Sequence, residues 1–269
     1  MLKTRVLTAL AIGLLFAGAL FGLPDQWWGC FVAFIVWLAS GEWARLVKAK
    51  LIERHIFGVA AVVPVVAFGF TPAGFETQLL GGAAYVCALA MWCFSVPVFL
   101  RYQLRLDGFY ARFMFGLVAL VPTALALIEL RRGAPLRLLA FMAPVWIADI
   151  AAYFVGRAWG RTKLAPNISP GKTREGALGA LVAVLIYALL LHLCVPAVAN
   201  WLNLFAVLVI AVIYTGLSIE GDLFESLLKR QAQLKDSGTL LPGHGGVLDR
   251  IDSLLSTLPL AALLWLIFS

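Results

Sequence analysis

The sequence predicts an all-α, polytopic integral membrane protein with about nine transmembrane helices and polar cytoplasmic loops. Three observations predict this class. The chain is 62% hydrophobic and 13% charged, against the roughly 25% charged residues of ordinary soluble domains, and its mean hydropathy is +0.95. Its apolar residues fall into nine runs, most of them close to the ~20 residues a helix needs to cross a bilayer. Its basic residues concentrate in every second connecting loop, as cytoplasmic Lys/Arg enrichment requires.

The N-terminal half, 1–135, holds runs near 6–23, 27–47, 56–71, 79–100 and 113–130. Lys3 and Arg5 precede the first, as in a signal peptide. The apolar stretch nevertheless continues to Leu23, and no small-x-small cleavage site precedes Pro24, so the run reads as a retained anchor. The third run is short and reads as broken at Pro64. The C-terminal half, 136–269, holds runs near 138–158, 176–195, 201–219 and 254–268 and two polar loops. The two halves make one continuous membrane domain, without an internal repeat or low-complexity segment.

With the N-terminus in the cytoplasm, alternation places 18 of the 21 Lys and Arg residues in cytoplasmic loops. The exceptions are Arg131, Arg132 and Arg137. The net charge of +7 is thus mainly a topology signal and requires no nucleic-acid partner; the partner it implies is the lipid bilayer. Cys30, Cys87, Cys93 and Cys194 form no CxxC pair and read as small buried hydrophobes.

Six of the 14 acidic residues lie between Glu220 and Asp252. Charge within lipid costs at least ~2.5 kcal/mol per group, so these groups must face water, one another or an ion. "SIEGDLFESLLKRQAQLK" continues the eighth run as a helix, and gathers Asp222, Glu225, Ser226 and Lys229 on one face. "DSGTLLPGHGG" is glycine-rich and irregular. Asp249 and Asp252 follow at i, i+3 as a new helix begins, so both carboxylates are expected to point the same way. Asp222, Asp249 and Asp252 form a hard oxygen set that suits Mg²⁺ rather than zinc. Lys229, Arg230, Lys235 and Arg250 suit phosphate groups, and His244 an oxyanion contact or a proton transfer.

In the earlier loop, Asp149 lies inside an apolar run and needs a partner or a polar cavity. Ala152, Gly156 and Gly160 form a small-residue ridge that packs helices closely. "SPGKT" imitates the end of a P-loop, but Pro166 stands where the P-loop glycine is required. Lys172, Thr173 and Arg174 still suit phosphate groups at a helix start.

From Asp149 to Asp252, "NISPGKTREG", "GDLFES" and "SLLKRQAQLKDSGTLLPGHGGVLDRID" resemble the phosphatidate cytidylyltransferase (CDP-diacylglycerol synthase) family. Ser226, Lys229, Arg230, Lys235, Asp236, Gly238, Pro242, His244, Gly245, Gly246, Asp249, Arg250 and Asp252 all match its signature. The resemblance implies transfer of the cytidylyl group of CTP to phosphatidic acid, with Mg²⁺, at the cytoplasmic side of the inner membrane. It implies Asp222, Asp249 and Asp252 as metal ligands. Lys229, Arg230, Lys235, Asp236, His244 and Arg250 would then be catalytic, and Lys172, Thr173, Arg174 and Ser226 phosphate-binding. A homodimer is allowed. The rival reading, a transporter with a charged cytoplasmic gate, is disfavoured because the acids cluster at one face, with Glu42, Glu129 and Asp149 as exceptions. The DGxxAR pattern of CDP-alcohol phosphotransferases is also not met: "DGFYAR" begins at Asp107, but the downstream acids are missing.

Overall fold

The computed structural model describes residues 2–268, with side chains from Val6 onward, so the side chains of Lys3 and Arg5 lie outside the described residues. The chain opens with α1 (Leu2–Gly22), α2 (Asp25–Leu46) and α3 (Leu51–Phe70). Next, α4 (Phe75–Ala90) runs through a π-helical turn (Met91–Ser95) into α5 (Val96–Tyr102). Two long helices follow, α6 (Phe109–Arg131) and α7 (Pro135–Trp159), then a small antiparallel hairpin of β1 (Lys163–Ala165) and β2 (Ser169–Thr173). The chain ends with α8 (Arg174–Cys194), α9 (Pro196–Trp201), α10 (Leu204–Ala232) and α11 (Leu248–Phe268).

Among the described residues, eight helices are long and apolar enough to cross a membrane: α2, α3, the continuous α4–α5, α6, α7, α8, α10 and α11. The first run, Val6–Gly22, is a shorter apolar helix. Pro64 does not break the third run. Residues Ala61 and Val65 beside it are buried, and an apolar surround leaves the backbone no better option than to stay helical. Pro97 is accommodated differently. A proline lacks an N–H and its ring crowds the carbonyl four residues back; here the preceding turn widens into the π form, which makes room. The hairpin is absent from the sequence reading, because three- and five-residue strands are too short to carry an alternating pattern.

The core has two large apolar parts. One gathers Trp28, Val32, Val65, Tyr85, Ile128 and Leu258. Another is built around Phe224 of α10, whose ring lies 5.7–6.3 Å from the rings of Trp43, Trp92, Phe99 and Phe115. Gly29 and Gly69 let α2 and α3 touch backbone to backbone: a Cβ on Gly29 would stand 2.8 Å from the Gly69 Cα. None of the four cysteines is fully buried, contrary to the sequence reading. Cys87, Cys93 and Cys194 are exposed on the outer surface of the bundle and Cys30 is half-buried, which an apolar solvent tolerates as well as burial does.

Arg131, Arg132 and Arg137, the exceptions to the loop alternation, are tied into one end of the bundle. Arg131 pairs with Asp25 and donates to the Leu20 carbonyl, 3.1 Å from Nε. Arg132 pairs with Glu129 at 3.2 Å and donates to the carbonyls of Phe68 and Thr71, both at 2.8 Å. Arg137 donates to the Leu130 carbonyl at 2.7 Å and lies over the Trp265 ring. These cations satisfy the carbonyls left unpaired at the ends of α1, α3 and α6. At the other end the polar loops meet. Gln231 donates to the Leu104 carbonyl at 2.7 Å, and Arg230 Nε to the Ile168 carbonyl at 3.3 Å.

Candidate active site

Helices α10 and α11 build the site. Ser253 Oγ donates to the Ser218 carbonyl (3.0 Å) and Ser256 Oγ to the Leu217 carbonyl (2.7 Å). Gly221 lets α11 come so close that a Cβ there would meet the Asp252 carbonyl at 2.5 Å. This contact sets Asp222 beside Asp252. The helical spacing read from the sequence holds: on α10, Lys229 Nζ meets Glu225 Oε2 at 2.6 Å, and Ser226 Oγ donates to Asp222 Oδ1 at 3.3 Å.

Lys229 lies between the carboxylates of Glu225 and Asp249. Its ammonium also contacts Asp249 Oδ1 at 2.7 Å, and the Glu225 and Asp249 side chains are only 4% and 5% exposed. The remaining oxygen of Asp249 accepts from Ser237 N (2.8 Å), Ser237 Oγ (2.9 Å) and Gly246 N (2.8 Å). Asp249 and Asp252 therefore have different partners. The glycine-rich loop folds back on Asp249, while Asp252 lies in electrostatic reach of Asp222, Asp149 and Lys172.

The hairpin brings the second polar loop to the same place. Lys172 on β2 pairs with Asp222. Thr173 is buried and caps α8, accepting from Gly176 N at 3.1 Å. Arg174 is exposed at the first turn of α8. The β2 strand passes straight into α8 with no phosphate-wrapping glycine loop, in line with the rejected P-loop. The small-residue ridge on α7 faces α8: a Cβ on Gly176 would stand 2.8 Å from the Ala152 carbonyl and 3.4 Å from the Gly156 Cα. Asp149, one turn below that ridge on α7, is in reach of Asp222, Lys172 and Arg250.

The rest of the expected set lies at the rim. Arg230, Lys235, Asp236 and Arg250 are exposed. His244 sits in a tight turn in which Leu241 pairs with Gly245, and its buried Nδ1 has no hydrogen-bond partner. Gly243 and Gly245 carry φ of +76° and +82°, which a side chain would oppose. Glu225 Oε1 is likewise buried with no donor. With Asp149, Asp222 and Asp252 it forms a set of hard oxygen donors on three helices. Among the described residues, no three carboxylate, His or Cys side chains are already drawn together as an ion cage.

The family model described as the cytidylyltransferase family matches residues 3–268. The chain belongs to the cytidylyltransferase family. A phosphatidate cytidylyltransferase of Pseudomonas aeruginosa is 40% identical over 98% of this chain and 97% of its own length. One of Haemophilus influenzae is 32% identical over 96% of each chain. One of Bacillus subtilis is 42% identical over 46% of this chain and 45% of its own. The match to the family covers both halves, whereas the sequence motifs reached only from Asp149 to Asp252.

Three residues that the sequence reading did not assign to the site belong to its framework in this cytidylyltransferase. Glu42 of α2 accepts from Val247 N (3.1 Å), Leu248 N (2.8 Å) and Ser237 Oγ (3.0 Å). Arg45, one turn on, donates to the Ser237 carbonyl. Ser237 itself is fully buried. The available signal was an acid inside an apolar run at Glu42, with a basic residue three positions later. A recess of about 570 Å³ between α2 and α3, lined by Trp37, Gly41, Arg54 and His55 among others, includes none of the clustered acids.

Proposed function

We propose that this protein transfers the cytidylyl group of CTP to phosphatidic acid, giving CDP-diacylglycerol and pyrophosphate. The observation that carries this reading is the near full-length likeness to enzymes named phosphatidate cytidylyltransferase. The geometry supports it. Clustered carboxylates and ammonium groups lie where two polar loops meet, at one end of helices long enough to span lipid. One substrate is embedded in the bilayer and the other dissolved in the cytoplasm, so both are accessible only at the cytoplasmic face of the inner membrane. The basic loops favour that side.

An oxygen of the lipid phosphate attacks the α-phosphorus of CTP in line, a new P–O bond forms, and the α–β bond breaks to release pyrophosphate. The attacking phosphate is already anionic, so no general base is required, and the protein's task is to position reactants and offset negative charge. Lys172 and Lys229, each already against a carboxylate, are poised to take phosphate oxygens. Arg174, Arg230, Lys235 and Arg250 form the exposed basic rim that draws in the triphosphate. Ser226 and Thr173 hold Asp222 and the start of α8 in place, and the Thr173 hydroxyl proton remains free to donate to a phosphate. Asp236 and His244 flank the loop, and His244 is placed for a contact to an oxyanion.

Mg²⁺ characteristically takes one or two carboxylates and completes its shell with phosphate oxygens and water. Asp222 and Asp252 suit that part, with Asp149 and the unpaired oxygen of Glu225 close by. Asp249 would join them only by giving up Lys229. The ion would neutralise charge on the triphosphate. One chain supplies all these groups, so the reading does not need a homodimer.

The test is release of labelled pyrophosphate from CTP by the purified protein in detergent with Mg²⁺. Release that depends on added phosphatidic acid is expected. Substrate flux across vesicles without pyrophosphate release would favour a transporter instead.

A further inference from the structure

Glu42 lies in the N-terminal half, in the second span, more than a hundred residues before the motif region. A carboxylate there needs a reason, because its cost within lipid is high. The structure supplies three donors for it: Val247 N, Leu248 N and Ser237 Oγ. Two of these are N–H groups at the start of α11, which have no partner within the helix, and the helix dipole favours a negative charge there. Glu42 thus acts as an N-cap delivered from another helix.

The third donor links Glu42 to the site. The Ser237 hydroxyl stands 3.0 Å from Glu42 Oε2 and 2.9 Å from Asp249 Oδ2. A hydroxyl has one proton, so it serves one carboxylate at a time, and each carboxylate relies on backbone N–H groups for the rest. Gly238 and Gly246 close around Glu42: a side chain on either would run into its carboxylate. Arg45 fastens the same loop through the Ser237 carbonyl. From Ser237 the contacts pass to Asp249 and from Asp249 to Lys229.

Resting on the transfer reaction proposed above, we propose that Glu42 is a positioning residue for it. From α2, Glu42 fixes the loop between Ser237 and Leu248 and so aims Asp249 and Lys229. It touches neither substrate.

The test uses full-length protein in detergent, with kcat and KM for CTP, thermal unfolding, and amide hydrogen exchange over 237–252. Glu42→Gln keeps the shape but sets an NH₂ group against a donor. It is expected to lower kcat roughly 10- to 100-fold, the scale of one charged hydrogen bond. KM for CTP should stay within about threefold of wild type, and exchange at 247–248 should rise without global unfolding. Ser237→Ala, which leaves the charge on α11 in place, is expected to lower kcat about tenfold. The double variant should be no worse than the poorer single one, as for residues acting through one contact. Unchanged kcat per folded enzyme in Glu42→Gln, or unchanged exchange at 247–248, overturns the proposal. If Glu42→Gln does not fold, wild-type kcat in Ser237→Ala overturns it. An inactive wild-type protein would sink the transfer reaction instead, and exchange would still decide whether Glu42 holds the loop.

Discussion

Lys229 has two roles that a pair of substitutions separates. At 2.6 and 2.7 Å it neutralises two nearly buried carboxylates. At an effective dielectric constant near 20, each contact is worth about 6 kcal/mol before desolvation, and desolvation of the three ions offsets most of that. What remains is the penalty of stranding a carboxylate, about 3–5 kcal/mol when one partner of a buried pair is removed. Lys229→Met is therefore expected to destabilise the protein by roughly that amount, and to lower the unfolding temperature in detergent by about 10 °C at 2–4 °C per kcal/mol. Adding Glu225→Gln removes one stranded charge and leaves Asp249 held by the loop, so most of the stability should return. Activity should not return, because the triphosphate still lacks its ammonium group. Thermal unfolding and pyrophosphate release, measured on the same samples, check both parts. A Glu225→Gln/Lys229→Met protein with near wild-type turnover would refute the phosphate role and leave Lys229 purely structural.

Lys172→Gln breaks an ion pair whose side chains are 26% and 28% exposed, so stability should change by no more than about 1 kcal/mol. Turnover should fall at least about tenfold if Lys172 takes a phosphate oxygen; a drop in unfolding temperature with turnover intact would contradict this. Asp222→Asn or Asp252→Asn should abolish Mg²⁺-dependent pyrophosphate release while the protein still inserts, as read by assay of purified membranes. Arg132→Ala, at the far end, strands Glu129 and unpairs two carbonyls. It should cost about 3–5 kcal/mol yet leave kcat of the folded fraction unchanged.

The spans were legible because a helix crossing lipid must be apolar over its whole length, and α10 because its charges recur at helical spacing. That Asp222, Lys229 and Asp249 would lie in one polar region was legible, because they sit in one polar stretch. What each touches was not. Asp249 and Asp252, three residues apart, looked like one pair. The folded-back loop claims the first and Asp222 the second, and loop backbone donors leave no trace in spacing. Glu42 was visible only as an oddity, because its partners lie some two hundred residues away. Arg131, Arg132 and Arg137 read as violations of a topology rule, whereas they serve carbonyls, which every sequence has.

The widened turn before Pro97 has a mechanical consequence. Each residue rotates an α-helix by about 100°, so the extra residue held in Met91–Ser95 resets which side of α5 faces inward. With that offset, Phe99 reaches Phe224, two positions from Asp222 and next to Glu225. Deleting one residue in this turn would restore regular winding, swing Phe99 towards the acyl chains and loosen α10 at its acidic stretch. A turn that carries no charged residue of its own thereby sets the alignment of a charged stretch on another helix.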